Sequence, residues 1–271
     1  MKYPDSLVLD LVCWLQPAMV YVALSRVQRL EQLFILEKLP IDKIKPWPDA
    51  IIEKRRLDDL DRKRQSLSSF SICTLNVNSL GAHFDNLRMD RILTKNTVIC
   101  FQETWLSPQN LGRKFQLDGK ISHFNSVRRG AGLATYFPPE FQHIRDFKSS
   151  SYQISVFRSD IQMVVNIYRS KDANSEIIQQ NLARIIETWR GDIFLCGDWN
   201  LCLREDNSHT ILKFLTLEGF SPIINPPKGT HKDGRCIDMI WWKNVNLDSY
   251  TSDIDFKYYT DHAQVSLSKL S

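Results

Sequence analysis

Several short apolar runs in this chain end in carboxylate, amide, phenol or imidazole side chains, and this pattern constrains the fold most. An ordinary strand hides apolar side chains and ends in turn residues, whereas a solvated face lacks the apolar run altogether. We therefore expect one polar site assembled from the ends of several strands. The segments are LNVNSL (75–80), QET (102–104), NIY (166–168), GDWN (197–200), IDMI (237–240) and TDH (260–262).

The chemistry of such a site follows from its donor atoms. Carboxylate and amide oxygens are hard ligands, which suit Mg²⁺ rather than zinc, with Mn²⁺ as the alternative ion. Hydrolysis of a phosphate ester is a reaction that needs this combination of a hard cation and acidic side chains. The pattern thus indicates a metal-dependent hydrolase acting on ester bonds.

Composition sets the outer limits of the fold. A chain of 271 residues with 43% hydrophobic and 11% aromatic residues can bury a sizeable core, so global disorder is excluded. The length suits one domain, or one domain with an appendage. The net charge of +4 permits a polyanionic partner but does not by itself argue for one.

The cysteines and the apolar N-terminal stretch bear on location. None of the six cysteines forms a CxxC pair, and no secretory signal is visible, so we expect a reducing compartment. The stretch SLVLDLVCWLQPAMVYVAL is interrupted by Asp10, Gln16 and Pro17 before it reaches a membrane-spanning length. We expect an intracellular, non-secreted protein, in the nucleus or in a compartment that the sequence does not identify, without a membrane partner.

From Phe70 onward, apolar strands alternate with a few helical patterns, which indicates an α+β fold of two sheets packed face to face with flanking helices. Three segments predict helices: NLRMDRILTK, SEIIQQNLARIIETWR and HTILKFLTLEGF, where Gly219 suits a C-terminal cap. The predicted strands are FSICTLNV, TVICFQET, AGLATYF, YQISVF, MVVNIYR, DIFLCGDWN, CIDMIWW and AQVSLSKL.

The N-terminal part has a different pattern of predicted elements. VLDLV predicts a strand, and VYVALSRVQRLEQLFIL predicts a helix that runs into another strand. This YVALSR segment resembles the last motif of superfamily-1 DNA helicases of the Helitron transposon type, in which Arg26, positioned by Ser25, would contact ATP phosphates. No GxxxxGK[ST] loop occurs, so we expect no ATP hydrolysis. The alternative is an amphipathic helix that packs on the following domain.

We accordingly divide the chain into three parts. Residues 1–45 are a helicase C-terminal remnant, and residues 46–69 form a charge-dense helix, IIEKRRLDDLDRKRQ, with a short SLSS linker. Residues 70–271 carry the strand-end motifs. The remainder of a transposon helicase polyprotein is the expected protein partner.

In residues 70–271, the six motifs in this order resemble the endonuclease/exonuclease/phosphatase superfamily. That superfamily includes apurinic/apyrimidinic (AP) endonucleases, pancreatic-type DNases, retrotransposon endonuclease domains and phosphoinositide 5-phosphatases. The resemblance implies a four-layer α/β sandwich of two mainly antiparallel sheets with flanking helices, here with a short N-terminal α/β appendage. It also implies in-line hydrolysis without a covalent enzyme intermediate, leaving a 5′-phosphate and a 3′-hydroxyl.

The resemblance assigns roles to the first three motifs. Asn76 would hold the phosphate or the catalytic network, and Asn78 would stand beside the metal. Glu103 would be the main protein ligand of Mg²⁺, with Gln102 bracing the site. Tyr168 would donate a hydrogen bond to the phosphate. The alternative for each is an ordinary strand terminus or core edge.

The last three motifs supply the groups that move protons. By resemblance, Asp198 would orient or deprotonate the attacking water, and Asn200 would fix that water and stabilise the transition state. Asp238 would hold the tautomer of His262, which would contact the scissile phosphate. Asp261 would lie next to the metal or the water.

Three further positions are less typical of the family. Thr230 in GTH resembles a threonine near the DNA-binding face of retrotransposon endonucleases, with plain turn chemistry as the alternative. Arg169 stands where relatives have a small residue, so it is a candidate phosphate contact. Ser79 stands where the family often has glycine. The remaining histidines show no metal-binding spacing and are predicted to be surface residues: His83, His123, His143, His209 and His231.

The substrate is open at this point, because DNases, RNases and phosphoinositide phosphatases share this core. DNA is favoured by the sequences TLNVNSL and FQETWL, which resemble transposon and AP-type members most, and by the helicase resemblance. Basic residues in predicted loops add lighter support: Arg128, Arg129, Lys228, Lys232 and Arg235. The alternatives are an RNA or phosphoinositide phosphoesterase and a non-catalytic nucleic-acid-binding remnant.

Overall fold

The fold is taken from a computed structural model, which describes residues 70–107, 115–126, 130–206, 208–223 and 228–270 together with two short N-terminal strands. The chain divides into two compact units, Met1–Ser66 and Leu67–Ser271. In the first unit, β1 (Leu7–Leu9) pairs in parallel with β2 (Leu33–Ile35), at the two places where the sequence predicts strands. The predicted helices and linker between and after these strands lie outside the described residues, and the boundaries at 45 and 69 stay predictions.

The described part of the second unit contains twelve strands, four α-helices and one 3₁₀ turn at Leu247–Ser249. The helices are α1 (Leu80–Met89), α2 (Arg91–Thr94), α3 (Ser175–Glu187) and α4 (Thr210–Leu217). The strands are β3 (Ser71–Asn76), β4 (Val98–Gln102), β5 (Ile121–Asn125), β6 (Leu133–Phe137), β7 (Gln142–Lys148), β8 (Tyr152–Arg158), β9 (Gln162–Arg169), β10 (Asp192–Asp198), β11 (Ser221–Pro222), β12 (Asp238–Lys243), β13 (Tyr250–Phe256) and β14 (Ala263–Lys269).

These strands form two six-stranded sheets. The first sheet has the order β13-β14-β3-β4-β6-β5 and the second has the order β11-β12-β10-β9-β8-β7. Among the described strands, one pair in each sheet is parallel, β3–β4 and β9–β10, and the other pairs are antiparallel. The predicted pair of mainly antiparallel sheets with flanking helices is confirmed.

Side-chain alternation along the strands produces three apolar layers. Ile72, Cys100, Phe194 and Ile240 belong to a buried cluster that both sheets contribute to, and it fills the space between them. The outer face of the first sheet packs on α1, and that of the second sheet packs on α3 and α4. The order helix, sheet, sheet, helix is the four-layer sandwich. Since successive residues of a strand point to opposite faces, every second residue of each central strand faces the gap between the sheets.

Two helix boundaries show how local chemistry sets the elements. The single helix predicted at 86–95 is wrong, because Asp90 ends α1 and caps α2 by accepting from the backbone N–H groups of Ile92 and Leu93. The predicted cap at Gly219 is confirmed. Its φ is +81°, and the Gly219 and Phe220 N–H groups bond back to the carbonyls of Thr216 and Leu215.

Within the described residues, no helix has the length and apolar character needed to cross a membrane. The described cysteines, namely Cys73, Cys100, Cys196, Cys202 and Cys236, are buried free thiols.

Candidate active site

The polar strand ends meet in the gap between the two sheets. In the second sheet Asp198 is the register partner of Asp238 on β12 and of Tyr168 on β9, so the three side chains share one face. In the first sheet Asn76 is paired with Gln102 in the same way. Each lies two positions from an inward-facing residue of its strand, which places the five at one end of the inter-sheet core. These neighbours are the apolar residues Cys100, Cys196 and Ile240 and the polar residues Thr74 and Asn166.

Gly197 explains why the fourth motif needs a glycine before its aspartate. Its φ is +154°, and a Cβ atom at this position would overlap the backbone carbonyl oxygen of Ile167 on β9. Any larger residue would push β10 away from β9 directly beside Asp198. The glycine thus lets the aspartate reach the site on a strand that stays paired.

Asp198 is buried and is held by amide groups on both sides. Its Oδ2 accepts a hydrogen bond from Asn76 Nδ2 at 2.9 Å and its Oδ1 accepts one from the backbone N–H of Asn200 at 2.9 Å. Asn200 Nδ2 lies 3.3 Å from Oδ2 and 2.8 Å from the carbonyl oxygen of Arg169. Burial and the neighbouring Asp238 raise the pKa of Asp198 to about 7, although His262 and the amide donors act in the opposite direction.

Asp238 and His262 form a directly bonded pair. Nδ1 of His262 lies 2.8 Å and 3.0 Å from the two carboxylate oxygens of Asp238, which is fully buried. Burial alone lowers the pKa of His262, but the charge and hydrogen bond of Asp238, helped by Asp198 and Asp261, raise it to about 9. The imidazole is therefore protonated near neutral pH, and its Nε2 remains available to another group.

Thr230 fixes the position of Asp238. Its side chain is fully buried, and Oγ1 accepts hydrogen bonds from the backbone N–H groups of Ile237 and Asp238 at 3.0 Å and 2.9 Å. This is the turn chemistry that the sequence left as the alternative. A contact between Thr230 and a substrate stays a prediction.

Asp261 lies beside His231 and His262, and its side chain is more exposed than either imidazole. Its Oδ2 lies 3.2 Å from Nε2 of His231 and its Oδ1 lies 3.9 Å from Nε2 of His262. Burial by itself would raise the pKa of Asp261, but His262 and His231 lower it overall. His231, predicted to be a surface residue, is half-buried and belongs to this cluster, a role that only its position directly after Thr230 could have suggested.

Glu103 and Asn78 sit on adjoining turns at the ends of β4 and β3. The backbone N–H of Ser79 donates to the carbonyl oxygen of Glu103 at 2.9 Å, and the N–H of Asn78 donates to Oδ1 of Asn76 at 3.1 Å. Both residues have positive φ, +51° for Glu103 and +44° for Asn78, which is uncommon for residues with a side chain. Strained backbone at two adjoining strand ends is typical of a functional site.

Ser79 shows the cost of replacing the glycine that the family often has. Its φ is +93°, in the region that favours glycine, and it also caps α1 by accepting from the N–H of Ala82. The hydrogen bond offsets part of the backbone strain, since N-cap serine stabilises a helix by about 1 kcal/mol.

Gln102 spans the two sheets rather than facing solvent. Its Nε2 donates to Oδ1 of Asn166 on β9 at 2.7 Å, and its Oε1 accepts from Thr74 at 3.1 Å. Asn166 in turn donates to Thr135 Oγ1 at 2.9 Å. This buried network agrees with the bracing role expected of Gln102. It also gives a structural role to Asn166 of the NIY motif, for which the sequence predicts no function.

Tyr168 and Arg169 end β9. Tyr168 is buried against Ala131 and Leu133. Arg169 is also buried and donates to the carbonyl oxygens of Trp199 and Lys171, both at 3.3 Å. Burial lowers the pKa of its guanidinium, against the effect of nearby carboxylates. Phosphate contacts of both residues stay predictions.

The donor set suits a hard divalent cation. Glu103 and Asp261 offer carboxylates and Asn78 an amide, and Oδ1 of Asp261 is a buried acceptor without a hydrogen-bond partner among the described residues. Glu103 lies outside the groups of acidic and histidine side chains whose ligand atoms fall within 4.8 Å of one another in the described part of the chain. Mg²⁺ commonly uses one or two carboxylates, completed by water and phosphate oxygens, so a single protein anchor fits that ion.

Comparisons with known proteins define the class. Residues 73–262 match the Endonuclease/Exonuclease/phosphatase family, and the chain therefore belongs to that family, which is named for hydrolases of phosphate esters. No curated protein sequence matches the chain.

Solved structures share the fold. A 3′-5′ exonuclease (NExo) from Neisseria meningitidis aligns with a TM-score of 0.57 and 16% identity, covering 74% of this chain and 100% of that one. An AP endonuclease from Archaeoglobus fulgidus aligns with a TM-score of 0.57 and 17% identity, covering 73% and 98%. The endonuclease domain of TRAS1, a telomere-specific non-LTR retrotransposon, aligns with a TM-score of 0.59 and 13% identity, covering 74% and 98%.

Proposed function

We propose that the chain is a Mg²⁺-dependent DNA endonuclease derived from a mobile element. The observation that carries this proposal is the environment of Asp198. It is a buried carboxylate held by the amides of Asn76 and Asn200, and its strand partner Asp238 is bonded to His262. Two acidic groups in one pocket with different partners are the arrangement expected for separate proton-transfer roles.

Asp198 serves as the general base for the attacking water. A carboxylate with a pKa of about 7 is poised to accept a proton near neutral pH, and general-base help contributes roughly 10²–10⁴-fold in rate. Asn200 orients this carboxylate through its backbone N–H, which donates to Oδ1, and its side-chain amide lies beside Oδ2. Asn76 holds the second side of the carboxylate across the sheet gap.

His262 stabilises negative charge on the scissile phosphate. Asp238 fixes the proton on Nδ1 and supports the imidazolium, which leaves the Nε2–H to donate to a phosphate oxygen. Tyr168, the register partner of Asp198 on β9, is proposed to donate a second hydrogen bond to the phosphate. Arg169 is proposed as an additional phosphate contact and Thr230 as a residue near the DNA-binding face.

Glu103, Asn78 and Asp261 would hold Mg²⁺, with Mn²⁺ as the substitute ion. When bound, such an ion neutralises charge on phosphate oxygens and orients the ester. The contribution of the chain itself is the strained turn pair at Asn78 and Glu103, which fixes the direction of the carboxylate before any ion arrives.

DNA is the preferred substrate for three reasons. The sequences of the motifs and the N-terminal helicase resemblance both favour a transposon protein. The solved structures of similar fold include an AP endonuclease and the endonuclease domain of a retrotransposon. Lys228 and Lys232 lie in the loop beside Thr230 and can neutralise phosphates, whereas Arg235 in that loop is engaged with Asp233 at 2.6 Å. Arg128 and Arg129 lie outside the described residues. With DNA as the proposed substrate, we propose the nucleus as the site of action.

An RNA or phosphoinositide phosphoesterase is the second candidate, since the same core serves all three substrate classes. A non-catalytic nucleic-acid-binding remnant is the third. The intact Asp198, Asp238 and His262 constellation counts against the third, because an inactive protein has no need for a buried, mutually bonded acid–imidazole pair.

A substrate panel tests the proposal. The full chain is incubated with supercoiled plasmid, single-stranded RNA or a phosphoinositide, each with Mg²⁺ or with EDTA. Nicked circles that form only with Mg²⁺ and carry 5′-phosphate and 3′-hydroxyl ends support the proposal. Release of phosphate from the lipid alone, or cleavage of RNA alone, would identify the second candidate, and binding without turnover would identify the third.

A further inference from the structure

A second group of metal-ligating side chains lies away from the strand ends that form the active site. His123 on β5 and His143 and Asp146 on β7 converge, and their ligand atoms lie within 4.8 Å of one another. Strands β5 and β7 are edge strands of different sheets, so the cluster connects an edge of the first sheet to an edge of the second. The sequence predicts no metal-binding spacing for these histidines, and His123 and His143, 20 positions apart, are brought together by the sheet packing.

A β-bulge in β7 creates the cluster. His143 pairs with Phe157 and Asp146 pairs with Ser155, and the register shifts between His143 and Arg145. Residues three apart in a regular strand point to opposite faces, but the extra residue puts His143 and Asp146 on the same face. Such bulges are commonly functional features rather than defects of a sheet.

The distances between ligand atoms fit a tetrahedral ion. Nε2 of His123 lies 3.1 Å and 3.2 Å from the Asp146 oxygens, and Nε2 of His143 lies 3.0 Å from Oδ1. Nitrogen and oxygen ligands about 2.0–2.1 Å from a tetrahedral zinc ion are about 3.3 Å apart. The two imidazole rings stack with centroids 3.7 Å apart, so both Nε2 atoms approach the carboxylate from one side.

The surroundings orient these ligands. Ser155 Oγ donates to Oδ1 of Asp146 at 2.8 Å and accepts from Asn125 Nδ2 at 3.1 Å, which fixes the carboxylate through a buried chain of hydrogen bonds. The Phe157 ring packs against both imidazoles. Supporting hydrogen bonds of this kind behind a ligand are typical of metal sites. Lys148 lies 3.8 Å from Asp146 and is half-exposed, so it can swing away.

We propose that His123, His143 and Asp146 form a second metal site, specific for zinc or a similar transition ion, that clamps β5 of one sheet to β7 of the other. Two imidazoles and one carboxylate select such an ion over Mg²⁺, which prefers oxygen ligands. In the bound state each imidazole offers its Nε2 lone pair and carries its proton on Nδ1. The side chains of His123 and His143 are 25% and 31% exposed, which leaves an entry path and a fourth position for water.

The test is a zinc titration of the full chain by calorimetry in excess Mg²⁺, with the metal-free protein prepared by chelation. His143→Ala and Asp146→Asn are compared with His83→Ala, a matched control that removes a half-buried histidine outside the cluster. We expect wild type and the control to bind one more zinc equivalent than the two cluster variants. The active-site histidines remain in every protein, so any zinc they take cancels in this comparison.

Two further measurements test the proposal even if a cluster variant folds poorly. Co²⁺ added to wild type should give the visible absorption of a four- or five-coordinate ion, and zinc should raise the thermal midpoint of wild type but not of folded His123→Ala. Equal zinc stoichiometry in wild type and cluster variants, or no low-coordinate Co²⁺ spectrum in wild type, would overturn the proposal.

Discussion

Asp198 and Asp238 are register partners on adjacent strands, yet only Asp238 is bonded to an imidazole, whereas Asp198 is held by amides. The difference in partners separates their chemistry. Asp238 is bonded to the cation that His262 carries, and Asp198, buried with a weaker set of donors, has its pKa raised to about 7. One carboxylate thereby supports charge while the other remains able to take a proton near neutral pH.

The Asp238–His262 pair is tested by Asp238→Asn. Since the charge and hydrogen bond of Asp238 help to raise the pKa of His262 to about 9, their removal should lower that pKa. The cleavage rate at neutral pH should fall by about 10²-fold or more, because the imidazole loses both its proton and its orientation. NMR titration of His262 and a rate measurement check the two expectations.

Asp248→Asn, a change at an exposed aspartate in the 3₁₀ turn, is the matched control and should alter neither quantity. An unchanged His262 titration in Asp238→Asn would show that the pair does not act as described.

Glu103 is tested by Glu103→Gln, which keeps the shape of the side chain and removes its charge. The Mg²⁺ concentration needed for half-maximal cleavage should rise at least about tenfold, and the rate at saturating Mg²⁺ should fall, while the thermal midpoint stays the same. Glu140→Gln at an exposed turn serves as the control. Identical Mg²⁺ titrations for Glu103→Gln and wild type would remove Glu103 from the site.

The ion pair between Asp90 and Lys257 predicts a pH-dependent stability. Nζ of Lys257 lies 2.6 Å from Asp90 and 2.6 Å from Asp255, and its side chain is only 7% exposed. Burial alone would raise the pKa of Asp90, but its hydrogen bonds to Lys257 and to the start of α2 lower it. Asp90→Asn keeps a good N-cap and should cost about 1–2 kcal/mol of unfolding free energy at neutral pH.

The sign of the pH effect follows from the lowered pKa of Asp90. Its contribution is fully present above the unfolded value near pH 4 and is lost as pH falls through the lower folded value. Urea unfolding of wild type and Asp90→Asn should therefore converge in acid. A gap that stays constant down to about pH 2 would contradict the ion-pair account.

The N-terminal assignment is tested by truncation before Phe70. Residues 70–271 contain the whole strand-end constellation, so the truncated protein should fold cooperatively and cleave at about the rate of the full chain. The full chain should show no DNA-stimulated ATP hydrolysis, because it lacks a phosphate loop. Loss of folding on truncation would place the boundary elsewhere, and ATP hydrolysis would refute the remnant interpretation.

The sequence predicts the central strands well because they are apolar runs closed by polar residues. It misses the edge strands β5, β7, β11 and β13, which are exposed or half-exposed and carry mixed polar side chains without clear alternation. Edge strands bury one side at most, so the hydrophobic signal that marks β4 or β10 is absent from them. The bulge in β7 further obscures its period.

The same limit explains what the sequence could not show about the sites. The order of the motifs identifies Asn76, Asp198 and Asp238 as candidate site residues. It does not predict the hydrogen bond between Asn76 and Asp198, which joins residues on different sheets. The contacts of His231 with Asp261 and of His123 with Asp146 likewise join residues that are far apart in the sequence. Spacing along the chain carries no information about such contacts.

The central claim is that Asp198 is the base of a metal-dependent phosphodiester hydrolysis, and Asp198→Asn tests it most directly. The measurement is the single-turnover cleavage rate of plasmid DNA at saturating protein and Mg²⁺, across about pH 6 to pH 8. Wild type should gain rate as pH rises through about 7, because Asp198 must lose its proton before it can act as a base. Asp198→Asn should bind DNA normally, cleave about 10²–10⁴-fold more slowly and lose that pH dependence. A variant that cleaves at the wild-type rate, with the same pH profile, would contradict the account.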